Sequence, residues 1–414
     1  MSGKALATEL SPVAANGSLV SIPTFHVGMG WFPEQPGGLN RYYYEAMQHL
    51  PAAGVPATGI VAGSPGVAFA SSGQVTAFAS PTAMLPLRLR RARQAAERAI
   101  ARNPEAIVVS HFAAYTFPFL DRLAQRRAGG ARSREKALIV HFHGPWAAES
   151  KVEGASKPAT WAKKTMERAV YSRASLLLTL SKAFAEVASD MYGVRPERIR
   201  VIPGAVEASR FAGGGSGARD VADARARLGW PEGRPVVLAV RRLVRRMGLE
   251  ELISAATVIR RAMPDALIAI VGKGPLAQEL AAKVNDLGLQ DYVKLQGFLP
   301  DELLPWAYRA ATLSVVPSSA WEGFGLVAAE SLAAGTPVLV SPVGGLPEVV
   351  QGLSARLVLP GVADARLLAE AITAALDGSL PLPDAESCRR FAAANYDWPV
   401  VAARLREAYA DVAA

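Results

Sequence analysis

The sequence predicts an α/β fold in which two doubly wound parallel sheets each form one lobe. Three observations predict it. Short apolar runs of strand length alternate with helical patterns, joined by short glycine-rich connections, which is the pattern of βαβ units. At 414 residues the chain can bury two separate cores. Charge also divides it: residues 1–210 hold 25 Lys and Arg against 14 Asp and Glu, and residues 211–414 hold 20 against 22. At the join lies Gly213-Gly214-Gly215-Ser216-Gly217, which has nothing to bury and reads as a linker. The expected divisions are a disordered tail over 1–17, a first lobe over 18–210, and a linker with domain entry over 211–234. A second lobe occupies 235–394, with a last helix over 395–414.

Composition narrows the class. Hydrophobic residues make up 50% and charged residues 20%, as in globular chains. No apolar run reaches membrane-spanning length, and residues 1–17 lack the layout of a signal peptide. The single cysteine, Cys388, excludes an internal disulfide and fits a reducing cytosol, so a cytoplasmic location is expected. The basic residues lack interleaved aromatics and a known reading module, so no nucleic-acid partner is expected. A dinucleotide oxidoreductase is poorly supported, because no strand is followed by Gly-x-Gly-x-x-Gly with a downstream acid.

In the first lobe, Leu19 to Val27 is β-rich and is followed by Pro36-Gly37-Gly38-Leu39-Asn40 and a helical pattern to Leu50. Residues 84–102 carry six arginines against Glu97 alone. They read as the solvated face of a helix or, with Leu85, Leu87 and Leu89, as a basic segment for an anionic membrane surface through Arg88–Arg93. Pro86 is expected to confine any helix to the residues after it. Ala106 to Ser110 is a strand ending at His111, and Ala137 to His143 another, ending at Gly144-Pro145. Alternation puts His141 and His143 on one face and Phe142 on the other. His143, at the carboxyl end of a parallel strand, faces the crevice where open α/β sheets bind ligands. A metal held by these two histidines is not expected, since no neighbouring acid or cysteine completes a set. Ser175 to Leu180 closes the series, before Ile199 to Glu207 leads toward the second lobe.

The second lobe opens with Pro235 to Val240, then Arg241-Arg242-Leu243-Val244-Arg245-Arg246-Met247-Gly248. Four arginines in six residues leaving a parallel strand suit the charges of a pyrophosphate. Further strands lie at Ala266 to Val271, before Gly272-Lys273-Gly274, and at Tyr292 to Gln296. Thr312 to Pro317 is a buried strand, and Ser331 to Gly335 reads as the end of a helix stopped by glycine. Between them lies Trp321-Glu322-Gly323-Phe324-Gly325-Leu326-Val327-Ala328-Ala329-Glu330. Strand, glycine loop and helix N-terminus make an anion site, because free N–H groups point at the ligand. The two acids suit neutral hydroxyls instead. A phosphate and several hydroxyls on one loop suggest a nucleotide-sugar.

An acid, then Gly-Phe-Gly-Leu, then a second acid eight residues on resembles the paired-glutamate motif of retaining glycosyltransferases of family four. That resemblance implies the GT-B fold, with two Rossmann-like lobes, the active site in the cleft and a C-terminal helix crossing back to the first lobe. It implies sugar transfer from a nucleotide-diphosphate donor, with uridine the commoner base, to an acceptor hydroxyl with retained anomeric configuration. No cofactor or metal is implied, and the acceptor is a small molecule, a glycan or a lipid-linked group. Carried onto this sequence, Glu322 and His143 hold the sugar and Arg242 the diphosphate, as the catalytic set. Gly37, Gly38, Gly272, Gly274, Gly323, Phe324, Gly325 and Leu326 surround the donor, and Glu330 takes its ribose. Met247 stands where the family has a lysine, so either Arg246 or Arg245 is expected to supply the second cation, or one arginine and backbone amides hold the phosphates. The rival readings are a nucleotide-sugar epimerase of the same fold and a non-catalytic sugar-binding protein.

Overall fold

The computed structural model describes residues 21–123, 137–213, 218–362 and 364–414. The tail expected over 1–17 lies outside these, as does most of the glycine linker. Among the described residues, twelve strands form two sheets, both parallel throughout. The first contains β1 (Thr24–Gly30), β2 (Ala57–Ala62), β3 (Val75–Ala79), β4 (Ile107–Ser110), β5 (Leu138–Phe142), β6 (Leu176–Thr179) and β7 (Ile199–Val201), in the order β3-β2-β1-β4-β5-β6-β7. The second contains β8 (Val236–Val240), β9 (Leu267–Val271), β10 (Val293–Gly297), β11 (Leu313–Val316) and β12 (Val338–Val340), in the order β10-β9-β8-β11-β12.

Parallel strands are covered on both faces, so they read as unbroken apolar runs. Leu-Ile-Ala-Ile-Val of β9 is buried at every position, and so is Leu-Ile-Val-His-Phe of β5. The strand order reverses between β1 and β4 and again between β8 and β11. At such a reversal the connections leave in opposite directions and open a crevice beyond the carboxyl ends of the strands. Those ends are the Gly37-Gly38 loop and His111 in one lobe, and Arg241 and the segment from Ser318 to Glu322 in the other.

The last helix, Trp398–Ala413, belongs to the core of the first lobe. Trp398, Val401, Leu405 and Tyr409 are buried there among Tyr42, Met47, Ile139 and Leu178. Trp398 donates its indole N–H to Glu45 at 2.7 Å, and its ring lies parallel to His49 at 5.3 Å. The chain therefore crosses between lobes twice, after β7 and before Trp398. The crossings lie side by side: Val206 forms a parallel bridge with Asp397, whose carboxylate accepts the N–H groups of Ala208 and Trp398 at 3.0 Å each.

Residues 85–102 form a single helix, Leu85–Arg102, that begins one residue before Pro86 instead of after it. Proline in a first turn has no hydrogen bond to lose, so it does not restrict this helix. Among the described residues no helix is long and apolar enough to cross a membrane.

Candidate active site

The loop between β11 and the helix Leu326–Ala334 is held from several sides. Trp321 has φ 50°, a left-handed conformation that a bulky residue rarely adopts. Its carbonyl accepts from Arg246 Nη1 at 2.8 Å, and the Glu322 carbonyl accepts from Gly345 N at 2.8 Å. Gly323 passes so close to the first lobe that a Cβ there would lie 2.8 Å from the Phe184 ring and 3.1 Å from the His143 carbonyl. Only glycine fits. The loop that carries Glu322 thus meets the backbone of His143 across the cleft. The opposite loop contributes Gly37, at φ 149°, and Gly38, from which a Cβ would lie 3.6 Å from Leu326 Cδ1. No side chain caps the helix Leu326–Ala334, so its first N–H groups are left for an anion.

Glu322 is the centre of a charged cluster. Arg241 Nη2 donates to Glu322 Oε2 at 2.5 Å, and Ser318 Oγ donates to the same oxygen at 3.0 Å. Burial raises the carboxyl's pKa, but the Arg241 charge and hydrogen bond, with Arg246, bring it net below the usual range. The Arg241 guanidinium is buried and lies against the sulfur of Met247. It thus stands beside the position where the resembled motif has its lysine. Arg242, the next residue, is exposed, with Arg246, Glu149 and Glu322 among its charged neighbours. Arg246 is buried and tied to Trp321, and to Glu149 of the first lobe at 3.4 Å. Arg245 points away and pairs with Glu250 and Glu279, so it is no candidate for the second cation.

Glu330, in the second turn of the helix Leu326–Ala334, belongs to a second cluster. It is buried, accepts from Tyr308 Oη at 2.8 Å and lies 3.9 Å from Arg41 Nε of the first lobe. Burial raises its pKa against the opposing pull of Arg41 and Tyr308. Arg41 also pairs with Asp301, which accepts a further ion pair from Arg210 at 2.7 Å. Glu348 of the second lobe accepts the N–H groups of Lys182 and Ala183 at 2.9 and 3.0 Å, at the start of the first-lobe helix Lys182–Tyr192. These contacts join the two lobes beside the cleft.

Phe324 does not face the cleft. Its ring is buried against Tyr396 at 5.3 Å, so only its backbone can meet a donor. Gly272 and Gly274 pack their turn against the carbonyls of Arg241 and Leu243, and with Leu243, Ile270, Lys273 and Leu295 they line a cavity of about 420 Å³. Lys273 lies over the Phe298 ring at 4.9 Å at this turn. Of the arginines expected to face a membrane, Arg88 donates to Tyr115 Oη at 2.7 Å and Arg93 pairs with Asp121 and Glu97. Both are bonded to the protein's own groups. Arg90 and Arg91 stay exposed beside Met84, Leu85 and Leu87.

His141 and His143 share a face as alternation requires, and His111 joins them. Their ligand nitrogens lie within 4.8 Å of one another, a grouping that the pair at 141 and 143 alone did not reveal. Their rings are stacked at interplanar angles of 20° to 25°. The residues sequence reasoning passed over are Arg241, Arg41, Glu149 and His111. The run of arginines and a histidine closing a strand were the signals for the first and last.

Comparison with known proteins places these features. The family described as Glycosyltransferase Family 4 matches residues 36–210, and that described as Glycosyl transferases group 1 matches residues 220–398. D-inositol 3-phosphate glycosyltransferase 1 of Catenulispora acidiphila is 34% identical over 294 residues, which is 67% of this chain and 68% of that protein. The D-inositol 3-phosphate glycosyltransferase of Acidothermus cellulolyticus is 39% identical over 224 residues, 52% of this chain and 48% of the relative. A GDP-mannose-dependent alpha-(1-6)-phosphatidylinositol monomannoside mannosyltransferase of Mycolicibacterium smegmatis is 34% identical over 50% of this chain and 54% of the relative. The matches thus span between about half and two thirds of these curated relatives. Among solved structures, Anabaena HepE in complex with UDP and glucose aligns over 94% of this chain and 100% of its own, with TM-score 0.73 at 19% identity. Sucrose-phosphate synthase from Thermosynechococcus elongatus gives TM-score 0.73 at 22% identity, over 94% and 99%.

Proposed function

Since the chain belongs to the family 4 glycosyltransferases of GT-B fold, we propose that it moves a hexosyl group from a nucleoside-diphosphate sugar to a hydroxyl of an anionic polyol or lipid acceptor, with retention. The observation that carries this reading is the cluster of Arg241, Arg242, Glu322 and the uncapped helix N-terminus at the point where the strand order reverses. Cations and free N–H groups together suit a diphosphate, and the carboxylate suits sugar hydroxyls.

In this reading the glycosidic C1–O bond breaks and the diphosphate leaves with the electron pair. The acceptor oxygen bonds C1 on the same face, and its proton passes to a diphosphate oxygen. The protein stabilises the leaving charge instead of supplying a base. Arg242 holds the diphosphate from the exposed side. Arg241 takes the part that the absent lysine has in the motif, shared between the diphosphate and Glu322. Glu322 and His143 hold the sugar, and Glu330 takes the ribose in exchange for its hold on Arg41. The cavity behind Gly272 and Gly274 receives the base, with uridine diphosphate as the first choice and guanosine diphosphate as the alternative.

The anionic acceptor is inferred from the excess of 25 Lys and Arg over 14 Asp and Glu in residues 1–210. The relatives' names, which mention D-inositol 3-phosphate and phosphatidylinositol monomannoside, support the same class. Peripheral contact with an anionic membrane through Arg90, Arg91 and the neighbouring apolar side chains belongs to the lipid form of this proposal, as does a cytoplasmic site of action.

The test is release of nucleoside diphosphate from UDP- and GDP-hexoses, with and without inositol phosphates or phosphatidylinositol vesicles, followed by NMR of the product's anomeric proton. Acceptor-dependent release with an unchanged anomeric configuration supports the proposal. Conversion of the donor without acceptor would favour an epimerase, and no turnover of any donor would sink both.

A further inference from the structure

Four of the five histidines of this chain are gathered under the cleft, and three of them form a single file. Thr24 Oγ1 lies 2.9 Å from His26 Nε2, His26 Nδ1 lies 3.0 Å from His111 Nε2, and His111 Nδ1 lies 3.3 Å from His143 Nε2. Each contact joins the δ nitrogen of one ring to the ε nitrogen of the next. In a neutral imidazole one nitrogen donates and the other accepts, so such a file has only two arrangements, with every proton on ε or every proton on δ.

The far end chooses between them. Thr24 Oγ1 also lies 3.1 Å from the carbonyl of Pro56, on the strand-entry side of β2. A carbonyl has no proton to give, so the hydroxyl donates to it and accepts from His26 Nε2. His26 Nδ1 then accepts from His111 Nε2, and His111 Nδ1 accepts from His143 Nε2. Burial keeps the rings neutral: it lowers the pKa of His26 to about 3 and that of His143 to about 4, and it holds His111 well below the usual imidazole value, helped by the neighbouring histidines. His141 stands outside the file, with Nε2 at 2.8 Å from Tyr409 Oη, and stacks on His111 at 4.4 Å.

We propose that Thr24, His26 and His111 are positioning residues that fix His143 as its Nε2–H tautomer, so that it meets the donor sugar with an unprotonated Nδ1 that accepts a hydrogen bond. The sugar-facing half rests on the transferase reading; the tautomer does not. A hydroxyl of the donor must then donate to His143. A donor analogue with fluorine at that carbon loses the contact, because fluorine has no proton to give.

The experiment is two-bond ¹H–¹⁵N correlation spectroscopy on ¹⁵N-histidine-labelled full-length protein near pH 7, with resonances assigned through single His→Gln variants. The expected result is Nε2–H for His26, His111 and His143. In Thr24→Val the file loses its anchor: His143 shows both tautomers while the His141 signal stays unchanged, and KM for the donor rises about twofold, because about half of the protein then carries the competent tautomer. Thr24→Ser keeps the hydroxyl and restores both. A His143 that carries its proton on Nδ1, or that is doubly protonated, would overturn the proposal. So would a Thr24→Val protein with an unchanged His143 pattern. Loss of the His111, His141 and His143 signals on adding zinc would assign that cluster to a metal instead. If the tautomers come out as expected but no nucleotide-sugar perturbs His143, the file stands and the transferase reading fails at this residue.

Discussion

Arg241 and Glu322, which leave different strands of the second sheet, share a hydrogen bond of 2.5 Å at the floor of the cleft, and the sulfur of Met247 lies against the same guanidinium. A cation delivered from the end of β8 thus reaches the carboxylate that a lysine at 247 would otherwise approach from the start of the next helix. Arg241 therefore lies where the side chain of such a lysine would end.

That exchange gives the first prediction. Arg241→Ala lowers kcat by about a hundredfold or more, the scale for removing a charge partner of a transition state. Met247→Lys alone lowers thermal stability, because it buries a second positive charge beside Arg241. The double variant Arg241→Ala with Met247→Lys recovers part of the lost turnover. Steady-state kinetics on the four proteins decides it, and a double variant no better than Arg241→Ala would show that the lysine position is not equivalent.

The two acids of the loop separate binding from turnover. Glu330→Ala weakens nucleoside-diphosphate affinity by about tenfold, while Glu322→Ala leaves affinity near normal and lowers kcat, because it touches the sugar where charge develops. Calorimetry with the nucleotide alone distinguishes them. Unchanged affinity in the Glu330 variant removes its assignment to the ribose.

Stability should depend on pH through Glu45, which is buried against Trp398. Burial pushes its pKa up to about 7, only partly countered by the Trp398 hydrogen bond and Arg41. A raised carboxyl pKa favours the protonated folded form, so stability is greatest at acid pH and falls as pH rises from about 4.5 through about 7. Glu45→Gln keeps an acceptor for the indole and removes the charge. The variant is therefore more stable than the unmodified chain above pH 7, by at most roughly 3 kcal/mol, and the two converge near pH 4. Parallel melting curves across that range would refute the assignment.

Membrane contact is decided by flotation with vesicles containing phosphatidylinositol or phosphatidylserine. Each exposed basic group near such a surface contributes about 1 kcal/mol. Replacing Arg90 and Arg91 with glutamine should therefore weaken flotation at low salt by about tenfold or more, with Met84→Ser adding to the loss. Replacing Arg88 or Arg93 should instead lower stability, since both are bonded to the protein's own groups. No flotation of the unmodified chain at low salt would leave a soluble anionic acceptor.

The strands that sequence made legible are those that are apolar throughout, such as β8 and β9, or broken by one polar residue, such as β5 and β11. Val75–Ala79 and Ala57–Ala62 escaped notice because alanine, glycine and threonine dilute the apolar signal. Their place is set by packing, as at Gly59, where any side chain would meet the Tyr43 hydroxyl. The arginine run was visible, but its division of labour was not. Motif alignment selects Arg242, whereas consecutive residues at the end of a strand point opposite ways, and that geometry sends Arg241 inward. The histidine file was invisible because its members come from three strands of the sheet and meet only when β1, β4 and β5 lie side by side.

The helix Trp398–Ala413 also governs the order in which the protein can be completed during synthesis. Its 16 residues fill the core of the lobe that emerges first. A ribosome delivers them after the whole second lobe, so the first lobe waits, with the surface around Tyr42, Met47 and Leu178 open, until this helix has emerged. The lobe made first is finished last, and a chain released early would expose that apolar seam to chaperones and proteases, however sound its active-site residues.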